Sequence, residues 1–241
     1  MESLIEKFKA LRLKHCADHV NEILTAASEK NLSIQETLKR LLDFELEARE
    51  QARIARCYKQ ARLDEKITID GFDFNHHISR KNHKTLILNL MDVEFVQKKM
   101  DIIMIGNPGV GKSHLAKCFA FAATQKGIKT LFTSAMDMIN QLITAEANHA
   151  LLKKLNYYQS QDLLVVDEIG YLPLGKQGSN LFFQVISARH TKKSTVITTN
   201  LPFAQWSKIF DGTTAATAIA DRLVYNSEIL ILEGPSYRTK S

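Results

Sequence analysis

Gly106-Asn107-Pro108-Gly109-Val110-Gly111-Lys112-Ser113 is preceded by the apolar run Ile102-Ile103-Met104-Ile105 and opens a helix-like run from Lys112 to Gln125. This stretch decides the reading of the chain, because it fits G-x-x-x-x-G-K-[ST] between a short buried strand and a helix. Glycines let the backbone turn tightly and aim its N–H groups at phosphate oxygens, at the positive end of the following helix. Lys112 adds a mobile positive charge. Ser113 offers the hydroxyl that completes the shell of a magnesium ion, whose other ligands are waters, phosphate and protein oxygens. The candidate nucleotide-binding residues are therefore Gly106, Asn107, Pro108, Gly109, Val110, Gly111, Lys112, Ser113 and His114. With strand, loop and helix in register, the competing reading, a glycine-rich turn that binds nothing, is the weaker one.

Working outward, 241 residues with 45% hydrophobic and 24% charged side chains suit one main domain with an appendage. No uninterrupted apolar stretch approaches the roughly 20 residues of a membrane span, and Met1 to Lys14 mixes acids and bases without an apolar signal core. The expectation is a cytoplasmic protein with no membrane partner. Cys16, Cys57 and Cys118 are widely spaced and odd in number, which indicates neither a disulfide framework nor a zinc site. His76, His77 and His83, and the i,i+4 pair His15 and His19, lack further ligands at metal-binding spacing. The net charge is +6, and residues 101–241 hold most of the surplus, with 14 Lys and Arg against 10 Asp and Glu. A basic excess there favours a polyanionic partner such as nucleic acid.

The chain is expected to divide near Leu63 to Gly71, giving a helical domain over 1–66, a connector over 67–100 and the nucleotide-binding domain over 101–241. Ser33-Ile34-Gln35-Glu36 is a capping-box pattern that opens a long helix ending around Ala61, after shorter helices at about Leu4 to Leu13 and Cys16 to Ser28. Leu38, Leu41, Leu42 and Leu46 recur at helical spacing and predict one buried stripe, with Glu45, Glu47, Arg49, Glu50 and Arg53 on the opposite side. This region reads as a packing module, although Arg49, Arg53, Arg56, Lys59 and Arg62 can also form a basic ridge for phosphate. In the connector, Ile67 to Phe74 reads as extended or turn-like and Thr85 to Met91 as a short helix able to pack beside a nucleotide base.

Beyond the phosphate loop, strand-like and helix-like segments alternate, which predicts a parallel sheet with helices on both faces. Thr130 to Thr133 is the second strand, followed by helices from about Met136 to Ala145 and Leu151 to Tyr158. Leu163-Leu164-Val165-Val166 is the third, apolar on both faces. Asp167 and Glu168 stand at its carboxyl end, where open α/β sheets place their chemistry. Asp167 suits magnesium, and Glu168 suits orienting and partly deprotonating the water that attacks a γ-phosphate. A fourth strand, Thr195 to Thr198, leads to Asn200, whose neutral amide can hydrogen-bond both the γ-phosphate and that water; otherwise it is a turn residue before Leu201-Pro202. Arg222, near the end of a helical segment from about Ala215, is placed to reach a neighbouring subunit's nucleotide, or else to lie on the surface beside Asp221.

The order GNPGVGKSHLA, LLVVDEIGYLPL, VITTNLPFAQW, ADRL and GPSYR resembles the IstB family of ATP-binding transposition helpers across almost the whole chain. These are AAA+ ATPases similar to the DnaC helicase loaders and, more distantly, the DnaA initiators. The resemblance implies an α/β fold, a P-loop NTPase with a parallel five-stranded sheet flanked by helices, preceded by a small all-helical N-terminal domain. It assigns Gly106 to Ser113 as the Walker A loop, Asp167 and Glu168 as the Walker B pair, Asn200 as sensor 1 and Arg222 as the arginine acting in trans, with Lys112, Glu168, Asn200 and Arg222 catalytic and Ser113 and Asp167 the metal ligands. A helical lid looks absent or minimal, leaving Arg238 a weak candidate for the lid's sensor arginine.

What the resemblance implies about function is an ATP- and magnesium-dependent helper of an insertion-sequence transposase: a homo-oligomer that grips double-stranded DNA largely without regard to sequence, recruits its cognate transposase, and hydrolyses ATP for release. A DnaC-like helicase loader shares the same engine. A small-molecule kinase fits less well, because Glu168 and Asn200 suit activation of water. A nucleotide-dependent adaptor with no need of hydrolysis is the remaining class.

Overall fold

A computed structural model describes residues 3–237. They fall into two compact units that divide between Arg56 and Cys57. The first holds helices α1 (Leu4–Ala10) and α2 (Lys14–Glu29) and most of α3 (Ile34–Gln60). Helix α3 opens in the expected capping box: Glu36 N donates to Ser33 Oγ at 3.2 Å while Ser33 N donates to Glu36 Oε2 at 2.9 Å. The predicted leucine stripe is corrected. Leu41 is buried with Cys16 and Val20, whereas Leu38, Leu42 and Leu46 are each more than half exposed. Glu45, expected on the solvent side, is the buried residue: it accepts from Cys16 N at 2.8 Å and from Arg49 Nε at 2.7 Å. The physical reason is that the first turn of α2, which has no capping side chain of its own, presents a free N–H and a positive dipole end. A carboxylate there is worth more than another leucine.

The second unit takes in the last turn of α3, so the division falls earlier than the sequence suggested. Cys57 Sγ donates to Gly127 O at 3.2 Å and Phe132 N donates to Ala61 O at 2.9 Å, which ties that turn to the sheet side. Residues 67–100 are likewise no connector. They form α4 (Ile78–Asn82), α5 (Lys84–Leu90) and α6 (Glu94–Gln97), and they bury Phe72, Ile87, Leu90, Val93, Phe95 and Val96 in the same cluster as Ile102 and Met104. Each such side chain contributes roughly 1.5–3 kcal/mol when fully buried, so this segment is a layer of the domain core.

The sheet comprises β1 (Asp101–Gly106), β2 (Thr130–Ser134), β3 (Leu163–Ile169), β4 (Ser194–Thr199) and β5 (Ser227–Leu232), all parallel, in the order β2-β3-β4-β1-β5. Between them run α7 (Lys112–Gln125), α8 (Ala135–Ala147), α9 (Leu151–Gln159), α10 (Gly175–Arg189) and α11 (Gly212–Val224). Side chains alternate across the sheet. Ile103, Leu164, Val166 and Ile197 enter one core with α8 to α11, while Ile102, Met104, Val165, Val196 and Leu230 enter the other with α5 to α7. The fifth strand and α10 were not located by residue in the sequence. Strand β5 follows α11 after two residues and lies at the sheet edge with Ile231 half exposed, and its apolar run Ile229-Leu230-Ile231-Leu232 is as long as the one that marks β3.

At the opposite end of the sheet from the phosphate loop, Arg189 is buried and closes the strand ends. Its guanidinium donates to the carbonyls of Tyr158, Gln161 and Ser194 and to Thr195 Oγ1. Beside it Asp101 Oδ1 accepts from Thr195 N at 2.6 Å, and burial pushes the Asp101 carboxyl up to about 7. A carboxyl raised in the folded state holds its proton where the unfolded chain has lost it. Its contribution to stability therefore falls as pH rises from the ordinary carboxylate range toward 7, by roughly 1.4 kcal/mol per pH unit at most. Asp101→Asn keeps an acceptor for Thr195 and removes the charge. Its stability relative to the parent should improve between about pH 4 and about pH 7 and level off above that, read from denaturant midpoints; an unchanged difference would show that Asp101 does not titrate in that window.

Candidate nucleotide site

The phosphate loop joins β1 to α7 at the carboxyl edge of the sheet, where the strand order changes direction. Gly111 precedes the helix with φ +98°, and a Cβ there would fall 2.6 Å from the ring of Phe72, so only glycine fits. Lys112 is buried, and its ammonium folds back over the loop to donate to Gly106 O at 2.7 Å and Asn107 O at 2.9 Å. The hollow inside the loop thus already holds a positive charge and the amino end of a 14-residue helix.

Across from the loop, strand β3 carries both acids. The pairing of β3 with β4 runs Val166 to Ile197 and then Ile169 to Thr199, so one extra residue is accommodated at Asp167 and Glu168. Glu168 takes a left-handed backbone, φ +61°, and its side chain turns outward and is exposed while Asp167 stays buried. This bulge lets two consecutive residues serve the same edge, where a regular strand would send them to opposite faces. Thr198, buried on β4, organises both: its hydroxyl donates to Asp167 Oδ1 and accepts from Glu168 N at 2.9 Å. Asp167 Oδ1 also accepts from Ser113 Oγ at 3.0 Å. The residues singled out by sequence 54 positions apart are therefore in contact.

A cavity of about 320 Å³ opens beside the loop. Pro108, Gly109, Gly111, Lys112, Ser113, His114, Glu168 and Asn200 line it, so it gathers most of the predicted site. Asn200 sits just past β4 on a turn that Trp206 fixes from beneath, the buried indole donating to Leu201 O at 3.2 Å. Arg222 does not line this cavity. It lies on α11, its guanidinium 4.6 Å above the Phe183 ring and donating to Ala218 O at 2.8 Å. Arg238 lies outside the described residues.

The cavity is also lined by residues that sequence reading did not assign: Phe72, Asp73, Arg80, Tyr171, Thr198 and Tyr237. Arg80 is buried with its guanidinium over the Phe72 ring at 4.6 Å, donating twice to Val110 O at 3.1 and 2.8 Å and once to Asp73 O at 3.0 Å. Desolvation lowers its pKa from the usual arginine value. Burial, reinforced by the Arg80 charge, also lowers the His114 imidazole, whose Nε2 is buried without a hydrogen-bond partner. A neutral ring at the cavity wall suits contact with an uncharged part of a ligand better than with phosphate. No motif marks Arg80 in sequence.

The model of the family described as IstB-like ATP binding protein matches residues 6–241. A protein of Bacillus thuringiensis subsp. berliner, named as an ATP-binding protein of insertion sequence IS232, is 34% identical over 239 residues, covering 99% of this chain and 95% of its own. Among solved structures, the DnaC helicase loader superposes with a TM-score of 0.58 at 23% identity, covering 73% of this chain and 98% of its own. DnaA from Aquifex aeolicus, bound to AMPPCP, gives 0.61 at 16% identity over 74% of this chain and 54% of its own. At these identities the two structures speak to the fold alone, a parallel five-stranded sheet flanked by helices. Among the described residues, no helix is long and apolar enough to cross a membrane.

Proposed function

The chain belongs to the family of IstB-like ATP binding proteins, and on that premise we propose that it is a cytoplasmic helper ATPase of an insertion sequence, hydrolysing ATP to ADP and phosphate. The observation that carries the reading is the convergence of Ser113, Asp167, Glu168 and Thr198 on one edge of the phosphate-loop cavity. Lys112 and the loop N–H groups hold the phosphates, and Pro108, Val110 and His114 complete the loop's walls. Ser113 and Asp167 place two hard oxygens 3.0 Å apart, a donor pair that fits magnesium, which when bound neutralises phosphate charge. Glu168 orients and takes a proton from the attacking water, and Asn200 hydrogen-bonds the terminal phosphate or that water without adding charge. Asp167 is held by two hydroxyl donors, which keep its carboxylate fixed.

In this reading the protein assembles as a homo-oligomer with ATP between subunits, grips double-stranded DNA and recruits its cognate transposase, and hydrolysis resets the assembly. The basic surplus of residues 101–241 supports a DNA surface, and the insertion-sequence relatives support the transposase. Particle imaging of protein with duplex DNA, magnesium and a non-hydrolysable ATP analogue tests it: rings or spirals form when all three are present and not without nucleotide. DNA affinity should fall steeply with salt and vary little with sequence. Particles identical with and without nucleotide, or binding flat across a salt titration, would overturn the oligomer and DNA parts of the proposal. Capture of a replicative helicase in place of the transposase would move the protein to the loader class.

A further inference from the structure

Beyond β5 the chain turns at Gly234 and runs back across the phosphate loop. Tyr237 N donates to Gly109 O at 2.9 Å, and a Cβ on Gly109 would fall 2.0 Å from Ser236 Oγ, so the two backbones touch with no room for a side chain between them. The root of this segment is held from the other side. Ser79 Oγ donates to Glu233 O and accepts from Glu233 N, each at 2.9 Å, and His76 Nε2 lies 3.1 Å from Pro235 O. The Tyr237 ring then stands edge-on to His76 with centroids 5.0 Å apart, and the Arg80 guanidinium lies 5.3 Å from the Tyr237 ring centre. Loop residues 109 and 110 are thus each tied by a carbonyl, one to this segment and one to Arg80.

Three of these groups, Phe72, Arg80 and Tyr237, wall the part of the cavity away from the acids. They are not equivalent mechanically. Phe72 is 7% and Arg80 2% exposed, fixed in the core, whereas Tyr237 is 47% exposed on a segment whose contacts among the described residues include hydrogen bonds at Glu233, Pro235 and Tyr237 and one ring cluster. Contacts of this kind are worth about 1 kcal/mol each. Tyr237 is therefore the wall that can swing while the sheet and the loop stay folded.

We infer that the segment Glu233–Tyr237 is a gate on the nucleotide cavity, and that the Tyr237 ring sets how fast nucleotide leaves. The inference rests on the reading of the cavity as an ATP site. With phosphates on the loop, the nucleoside end extends toward Phe72, Arg80 and Tyr237, and it departs past Tyr237, the least buried of these three. Because Gly109 O holds the gate directly, a ligand that moves the loop main chain also moves the gate, which couples occupancy to the posture of this segment.

Stopped-flow release of a fluorescent ribose-labelled ATP or ADP, chased by excess unlabelled nucleotide, tests this on the full chain. Tyr237→Ala should speed dissociation about tenfold, the equivalent of one lost ring contact, and speed association by a similar factor, because a gate that opens more readily lowers the barrier in both directions. Tyr237→Phe should stay near the parent rate, because ring rather than hydroxyl makes both contacts. His76→Ala, which loosens the root without lining the cavity, should speed release in the same direction and to a smaller extent. Parental release rates in both Tyr237→Ala and His76→Ala would overturn the gate while leaving the ATP site standing. Failure of the parent protein to bind the labelled nucleotide at all would sink the reading of the site itself, and the gate with it.

Discussion

Glu168→Gln is expected to lower ATP turnover by about 10² to 10⁴-fold, the range removed with a positioned general base, while nucleotide affinity stays within about threefold. The separation follows from the geometry. The backbone N–H of Glu168, not its side chain, makes the hydrogen bond to Thr198 Oγ1, so the bulge that presents the residue survives the substitution. Asp167, Ser113 and Lys112 keep their own contacts. An amide fills the same volume at the cavity edge and can still hydrogen-bond a water, but it cannot take up the proton. Phosphate release measured alongside titration with a labelled nucleotide checks both halves. Turnover unchanged in the variant would favour an adaptor in which hydrolysis has no role, and a collapse of affinity would mean that Glu168 holds the nucleotide.

Arg222→Ala should cost about 10³ to 10⁵ in turnover, the value typical of an arginine that stabilises a transferring phosphoryl group. Arg222 stands away from the nucleotide cavity of its own chain. Its guanidinium rests on Phe183 and the Ala218 carbonyl and does not line the cavity of its own chain. Any contribution to hydrolysis must then come from a second copy. Mixing supplies the test: Lys112→Ala and Arg222→Ala should each be inactive alone, and the mixture should regain part of the parent turnover, because some interfaces then pair an intact loop with an intact arginine. No recovery on mixing would place Arg222 outside a shared site, and full activity of Arg222→Ala alone would make it a surface residue packed on Phe183.

The legible part of the site was its contiguous part. Residues 106 to 113 specify a strand, a turn and a helix start within eight positions, and each glycine and the lysine answers a local requirement. Asp167 and Glu168 were readable because they end an apolar strand, although the bulge that aims both at one edge was not, since it depends on how β3 registers against β4. Thr198, Arg80 and Tyr237 escaped for the same reason. Thr198 looks like any β-branched strand residue until Asp167 lies beside it, and the contacts of Arg80 to Val110 and of Ser79 to Glu233 span 30 and 154 positions. The leucine stripe of α3 failed differently: periodicity identified a helix correctly but could not say which of its faces meets α2, and the free N–H at the start of α2 drew Glu45 inward.

Taken alone, the sequence determined the phosphate loop, its acids and the parallel α/β order, since hydrophobic period, turn residues and helix starts act over a few positions and need no knowledge of distant partners. The tertiary structure alone decided that residues 67–100 are core, that β5 borders β1, that Thr198 sets the acids and that Tyr237 lies on Gly109. Those outcomes are set by burial and hydrogen-bond satisfaction between segments far apart in the chain, which a linear pattern does not encode.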